Sequence, residues 1–291
     1  MMTAASGAHA VAPLTIPDYE DLVRRELEAD LGSAGDITTD AIIGGDARAT
    51  ARVVVRHAGR VCGLECALFP FQLLGDVRHR IVHGDGTDVE AGTVLAELEG
   101  SARALLSAER TALNLLGHLS GVASATRELV RVIASAGHAR VVCTRKTTPG
   151  LRMLEKYAVR VGGGSNHRFG LYDAVLIKDN HRVIAGGVRA AVAAARLALG
   201  RLVTLEVEVD TLGQLEEALE AGADAVLLDN MSIPDLKRAV ACVGGRVTTE
   251  ASGGITPETI RDVAATGVDV ISVGWMTHSA PALDVGLDFS S

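Results

Sequence analysis

Residues 202–230 read LVTLEVEVDTLGQLEEALEAGADAVLLDN. Two short apolar runs flank a segment in which Leu212, Leu215 and Leu219 recur at i, i+3 and i+7, the spacing of one helix face. Thr211 followed by Gln214 fits a capping box at the helix start. A strand, a helix and a strand in so few residues imply a right-handed crossover and a parallel sheet. The first run finishes in Glu206 and Glu208, the second in Asp229-Asn230. Polar residues at the C-terminal ends of parallel strands sit where α/β folds build their sites.

The same texture runs through the second half of the chain. Apolar runs begin near Val141, Asp173, Leu202, Asp224, Arg246 and Val268, spaced by roughly 21 to 32 residues. Each of the first five is followed by a helix-like segment. Ser232 with Asp235 marks one helix start, and Thr256-Pro257-Glu258 puts a cap residue before a first-turn proline at another. The remaining runs finish in Thr144-Arg145-Lys146, Lys178-Asp179-Asn180, Glu250 with Ser252-Gly253-Gly254, and Gly274. A barrel brings all such ends to one mouth, whereas a doubly wound sheet shares a ligand only at its switch point. Six polar ends favour the barrel, and six strands are too few to close a ring of eight, so the expected fold is α/β, an open (incomplete) α/β barrel.

Upstream the pattern is α+β. Over residues 16–30, Tyr19, Leu22, Val23 and Leu27 share a helix face that Gly32 and Gly35 end. Residues 51–64 and 77–98 read as strands with turns at Gly59, Gly84-Asp85-Gly86 and Gly92. A long helix is expected over 102–136, with Leu105, Leu106, Leu113, Leu116, Leu119, Val122 and Ala123 as its apolar stripe. The expected division is a loose, disordered tail at 1–16, an N-terminal α+β domain at 17–120, the barrel at 121–280 and a C-terminal segment at 281–291.

Composition narrows the function. Of the 291 residues, 48% are hydrophobic and 22% charged, enough for a sizeable core. Aromatics at 3% argue against a stacking platform for single strands, and a net charge of −8 argues against a basic nucleic-acid surface. No apolar run reaches the roughly 18 residues of a membrane span. The start, Met1 to Pro13, lacks the cationic and apolar blocks of a secretory signal. Cys62 and Cys66 form a CxxxC spacing with no second pair, and with Cys143 and Cys242 they read as thiols of a cytoplasmic protein.

Against that acidic background the expected mouth is basic. Arg145, Lys146 and Lys178 end strands, His167 and Arg168 follow Gly162-Gly163-Gly164, and Arg110 stands on the long helix. Any one of these reads as a solvated charge, but repeated placement after strands points to a ligand with several phosphates or carboxylates. Glu208 and Asp229 fit either Mg²⁺ and ribose hydroxyls or pairing with neighbouring cations. Ser252-Gly253-Gly254 fits an anion nest or a plain turn, and Gly274 allows a phosphate to approach. The triple glycine reads as a lid or as a simple connection. His57, His79 and His118 show no metal spacing. No P-loop is present, nor a GxGxxG after a strand.

Taken in order, the motifs resemble the quinolinate phosphoribosyltransferase family. The resemblance runs through Asp36-Ile37-Thr38-Thr39, Ala108-Glu109-Arg110-Thr111-Ala112-Leu113-Asn114, Thr144-Arg145-Lys146-Thr147 and the GGGSNHR loop. It continues through Leu176-Ile177-Lys178-Asp179-Asn180-His181, Glu206-Val207-Glu208, Leu228-Asp229-Asn230, Glu250-Ala251-Ser252-Gly253-Gly254-Ile255 and Ser272-Val273-Gly274. Trp275 departs from the smaller or aliphatic residue expected there.

The resemblance implies a cytoplasmic enzyme of de novo NAD biosynthesis. It converts quinolinate and phosphoribosyl pyrophosphate, with Mg²⁺, to nicotinate mononucleotide, pyrophosphate and carbon dioxide. It implies a homodimer or dimer-based hexamer in which one subunit's N-terminal domain covers the other's barrel mouth. By similarity, Arg110, Arg145, His167 and Arg168 hold the quinolinate carboxylates. Lys146 and Lys178 lie between both substrates, and Glu208 and Asp229 orient the ribose and Mg²⁺; these four form the catalytic set. Ser252, Gly253, Gly254 and Gly274 hold the 5′-phosphate, with Thr144, Val273 and Trp275 completing the substrate-binding set. Rival readings are a class I aldolase-like barrel with a Schiff base on Lys178, a non-catalytic or transport-linked relative, and a sibling transferase that takes nicotinate.

Overall fold

The structure, a computed structural model, describes residues 11–290; of the expected tail, residues 1–10 lie outside the described part. The described residues divide into two compact units, 11–120 with 282–290, and 121–281.

In the first unit, α1 (Ile16–Leu31) starts where the Asp18 carboxylate accepts from the Thr15 backbone N–H at 2.7 Å, and it buries Tyr19, Val23 and Leu27. After α2 (Ile37–Ile42) come β1 (Arg48–Val55), β2 (Gly59–Arg60), α3 (Leu64–Leu74), β3 (Val77–Ile81), β4 (Asp88–Val89) and β5 (Val94–Ser101). The C-terminal strand Val285–Ser290 pairs antiparallel with β1, Val53 facing Leu287, so the four-stranded order is C-terminal strand, β1, β5, β3. Ala51, Val53 and Val55 alternate into a core with Leu64, Leu68 and Phe71 of α3. Each such Leu or Phe contributes about 1.5–3 kcal/mol by leaving water. The long helix α4 (Ala102–Ile133) follows, beginning in this unit.

Two expectations change here. The strands expected over 51–64 are β1, which ends at Val55, and the two-residue β2, and Leu64 opens a helix instead. Helix α3 is apolar on nearly every side, burying seven residues from Leu64 to Phe71, so no polar stripe betrays its 3.6-residue period, and Pro70 lies inside it. The C-terminal segment is not an appendix but a strand of the first unit's sheet.

In the second unit, β6 (Arg140–Val142), α5 (Arg152–Val161), β7 (Val175–Ile177), α6 (Asp179–Ala185), α7 (Val188–Ala198), β8 (Leu205–Val209), α8 (Leu212–Glu220), β9 (Ala225–Asp229), α9 (Ile233–Val243), β10 (Thr248–Ser252), α10 (Ile260–Ala264), β11 (Val270–Ser272) and α11 (Trp275–His278) alternate. All six strands form one parallel sheet in the order β6-β11-β10-β9-β8-β7. No ladder joins β6 to β7 among the described residues; Ser165 occupies that flank of β6, its N–H donating to the Val141 carbonyl at 2.8 Å. The ring is an α/β barrel left open at this seam.

The caps explain where the helices start. Thr211 accepts from the Gln214 N–H at 3.3 Å, while the Gln214 side chain takes the Asp210 N–H at 2.8 Å. Ser232 accepts from the Asp235 N–H at 3.3 Å ahead of Pro234. The helix expected from Thr256 begins later, at Ile260. Pro257 has no N–H to give, and the Thr259 hydroxyl accepts from the Thr256 N–H at 2.9 Å, so residues 256–259 form a turn.

Candidate active site

The C-terminal ends of the second unit's strands surround one cavity of about 420 Å³. Thr144, Arg145 and Lys146 reach it from β6, His167 and Arg168 from the seam, and Lys178 from β7. Glu208, Asp229 and Ser252 reach it from β8, β9 and β10. Nine of the residues singled out from sequence therefore share one space. Gly253 and Gly254 follow Ser252, and Val273, Gly274 and Trp275 follow Ser272, which itself lines the cavity. Arg110 stands exposed on α4 in the first unit.

Local chemistry holds each segment. The Lys146 N–H donates to Thr144 Oγ1 at 2.9 Å, and its carbonyl accepts from the Thr277 hydroxyl at 2.8 Å, folding the post-β6 segment back toward α11. Gly274 packs against this segment; a Cβ there would lie 3.1 Å from Lys146 Cδ. Gly253 has φ +97, and a Cβ would lie 2.2 Å from Asn230 Oδ1. Asn230 itself sits in the left-handed region at φ 52, donates its N–H to the Ser252 carbonyl at 2.9 Å and its Nδ2 to Asp229 at 2.7 Å. The turns after β9 and β10 are thus locked to one another, with the acid and the glycines in fixed relation. The Trp275 indole donates to the Ile255 carbonyl at 3.2 Å, so the larger residue ties α11 to the same turn.

The triple glycine is a packing device rather than a lid. A Cβ on Gly162 would lie 2.6 Å from the Ala123 carbonyl, and one on Gly164 would lie 2.8 Å from Thr126 Cγ2, so both glycines let this segment press against α4.

Charge inside the cavity is mixed, from the exposed Lys146 and Lys178 to the half-buried Arg145, Arg168, Glu208 and Asp229. Burial, and then the Asp229 charge, push the Glu208 carboxyl up, while Lys178 opposes them. Burial and then the neighbouring Arg145 hold Arg168 below its ordinary value. Arg145 Nε and Glu250 Oε1 are buried with no hydrogen-bond partner among the described residues. Such orphaned groups at a cavity wall are groups a ligand can satisfy.

Sequence reasoning names Glu206 and Glu250 only as strand ends, yet both are buried beside His167. His167 Nε2 lies 3.0 Å from Glu206 and 3.6 Å from Glu250. Its Nδ1 accepts from the Arg168 backbone N–H at 2.8 Å, which requires the ring proton on Nε2. Burial disfavours a charged ring, the two acids favour one more strongly, and the net direction is upward. The Nδ1 contact weighs the other way: a second ring proton would face the Arg168 N–H. We therefore take the ring as neutral, with Nε2–H donating to Glu206 and Glu250 standing beside that pair. That leaves no nitrogen lone pair for a metal, so this His-Glu-Glu cluster is a proton-sharing network and not a cation site.

Burial, and then Glu206, raise the Glu250 carboxyl to about 7. A carboxyl raised in the folded state binds more protons there than in the unfolded chain. Stability should then fall as pH rises from about 4.5 to about 7 and level off above it. Melting temperatures across pH 4.5–8 should show this slope in the native protein and a flatter one in Glu250→Gln.

Sequence comparison adds lineage to this geometry. Residues 36–120 match the family described as quinolinate phosphoribosyl transferase, N-terminal domain, and residues 122–288 match its C-terminal domain. The chain is 45% identical over 260 residues to the probable nicotinate-nucleotide pyrophosphorylase [carboxylating] of Bacillus subtilis, covering 89% of each. It is 42% identical over 274 residues to the nicotinate-nucleotide pyrophosphorylase [carboxylating] of Mycobacterium leprae, covering 92% of this chain and 96% of that one. The solved structure of NadC from Streptococcus pyogenes superposes with a TM-score of 0.91 at 40% identity, covering 96% of this chain and all (100%) of that one. The nicotinate-nucleotide pyrophosphorylase of Francisella tularensis superposes with a TM-score of 0.91 at 39% identity, covering 96% and 99%.

Proposed function

The chain belongs to the quinolinate phosphoribosyltransferase family, and from that premise we propose how its cavity carries out the reaction. The enzyme transfers the phosphoribosyl group of phosphoribosyl pyrophosphate to quinolinate with loss of carbon dioxide, yielding nicotinate mononucleotide and pyrophosphate for de novo NAD biosynthesis. The observation that carries the reading is the convergence of Arg145, Lys146, Arg168 and Lys178 with Glu208 and Asp229 on one cavity. A dicarboxylate and a polyphosphorylated sugar are the kind of ligand pair that needs both signs of charge together.

On this reading Arg145 and Arg168 grip the quinolinate carboxylates by forked contacts, with His167 at the floor and Arg110 supplied from a partner subunit. The pyridine nitrogen attacks the anomeric carbon, and the bond to pyrophosphate breaks with its electron pair leaving on oxygen. Lys146 and Lys178 offset that departing charge. Glu208 and Asp229 favour the positive charge that develops at the anomeric carbon. The 5′-phosphate lies against Ser252, Gly253, Gly254 and Gly274, beside Val273 and Trp275, and Thr144 borders the dicarboxylate. Once ribosylated, the ring nitrogen is cationic. Its positive charge stabilises the electron pair left on the adjacent ring carbon when the carboxylate departs as carbon dioxide, and that pair then takes up a proton to form the C–H bond. No covalent bond to the protein forms, so positioning and electrostatics supply the rate.

Glu208 and Asp229 also suit a divalent cation. They are hard oxygen donors facing one cavity, where burial and then the Asp229 charge raise the Glu208 carboxyl, and a cation offsets both effects. We assign Mg²⁺ to these two residues; when bound it supplies charge neutralisation for pyrophosphate.

We further propose a homodimer, or a hexamer built from dimers. Leu171 and Tyr172, and on α6 Val183 and Ile184, are 73–86% exposed on the second unit, two pairs of apolar side chains suited to burial against a second copy. A cytoplasmic location suits the buried free thiols Cys62, Cys66 and Cys143; no described helix is long and apolar enough to cross a membrane.

Mixing the protein with Mg²⁺, phosphoribosyl pyrophosphate and either quinolinate or nicotinate tests the assignment. Nicotinate mononucleotide should form from quinolinate. Product from nicotinate alone would favour the sibling transferase reading, and no product from either would remove the assignment.

A further inference from the structure

Lys156 lies on α5, not in a segment that follows a strand, and its side chain is fully buried at 0% exposure. A buried ammonium carries a large desolvation cost and ordinarily sits on a carboxylate. This one does not. Its Nζ donates to the His167 carbonyl at 2.8 Å and to Cys143 Sγ at 3.0 Å, and it stands 4.9 Å from the centroid of the Phe169 ring. Two acceptors and an aromatic face account for its three N–H groups.

The three partners belong to two segments. Cys143 is the last residue before Thr144-Arg145-Lys146, and His167 and Phe169 flank Arg168. The Cys143 thiol in turn donates to Asn166 Oδ1 at 3.3 Å, and its N–H to the Ser165 carbonyl at 3.3 Å. This is the open seam of the barrel, where no strand ladder joins β6 to β7. At this flank two backbone hydrogen bonds, from Ser165 to Val141 and from Cys143 to Ser165, join the Arg145 segment to the Arg168 segment in place of a strand ladder, and Lys156 adds a side-chain tie between them.

We propose that Lys156 is a positioning residue for the dicarboxylate half of the cavity: it clamps the two arginine-bearing segments across the seam, so that Arg145 and Arg168 hold a fixed separation. This rests on the functional reading above. The Lys146 and Lys178 positions and the glycine turns take their geometry from other contacts, so the clamp acts on quinolinate and not on phosphoribosyl pyrophosphate.

The test compares full steady-state kinetics of the native protein, Lys156→Met, Lys156→Arg and Cys143→Ala. Misplacement of a binding group by about 1 Å costs on the order of a hundredfold. Lys156→Met should raise the KM for quinolinate by roughly ten- to a hundredfold while leaving that for phosphoribosyl pyrophosphate within about threefold. Lys156→Arg, which keeps a cationic donor, should recover part of the loss. A general structural defect would instead move both KM values or only kcat, and that result overturns the proposal, as does an unchanged quinolinate KM. If Lys156→Met does not fold, Cys143→Ala, which removes one anchor, decides: a raised quinolinate KM supports the clamp and a native one overturns it. Native protein that fails to turn over quinolinate would sink the functional reading, and the clamp with it; native turnover with unaltered variants would sink the clamp alone.

Discussion

Lys178→Ala should fold as the native protein does and lose catalysis. Lys178 is exposed at the end of β7, its backbone N–H is held by His181 Nδ1 at 2.9 Å, and the substitution leaves that bond in place. Surface charges of this kind contribute little to stability. In the cavity the same ammonium faces the leaving pyrophosphate, and removing one preorganised electrostatic group of this sort costs about 10²–10³ in kcat. Arg145→Ala should act differently, raising the quinolinate KM more than it lowers kcat, because its guanidinium binds a carboxylate present in both ground and transition states. Circular dichroism and melting temperature should match the native protein in both variants. Unchanged kinetics in both would remove the site assignment.

The second large effect is expected from a single methyl group. Gly253→Ala places a Cβ 2.2 Å from Asn230 Oδ1 and 3.0 Å from the Asn230 backbone nitrogen, at a φ of +97 that an L-residue rarely adopts. The Asn230 side chain holds Asp229, and its N–H holds the Ser252 carbonyl, so the clash cannot be relieved without moving the phosphate turn or the acid. Backbone strain of this kind costs of order 1–3 kcal/mol. The KM for phosphoribosyl pyrophosphate should rise by about a hundredfold, since 1.4 kcal/mol is a factor of ten and displaced ligands add to the strain. Gly254→Ala is the control: its Cβ meets nothing within 4 Å, although φ +59 still disfavours it, so its effect should be smaller. Equal effects in the two variants would show that the Asn230 contact is not what sets the turn.

Much of this site was legible before any coordinates. A parallel strand leaves its apolar run at the barrel mouth, so the change from Leu228 to Asp229 marks both the end of β9 and the functional residue, and Glu208 stands one residue before the end of β8. Local capping chemistry likewise placed the starts of α8 and α9. What was hidden depends on non-local packing. Glu206, Glu250 and Lys156 are written in the same letters as solvated surface charges, and only the fold shows that each is buried. The pairing of β1 with the strand Val285–Ser290 joins opposite ends of the chain, and no local pattern encodes that register. Helix α3 lacked the amphipathic period that betrays a helix, because both its faces are covered. The turn at 256–259 was misread as a helix start because a cap residue followed by proline serves both.

Quinolinate labelled at its 2-carboxyl carbon offers the most direct measurement of the central claim, that one cavity binds two anionic substrates and couples their chemistry. With Mg²⁺ present, labelled carbon dioxide should appear only when phosphoribosyl pyrophosphate is added, in a one-to-one ratio with pyrophosphate. Label released without the sugar phosphate, or pyrophosphate formed without release of label, would contradict it.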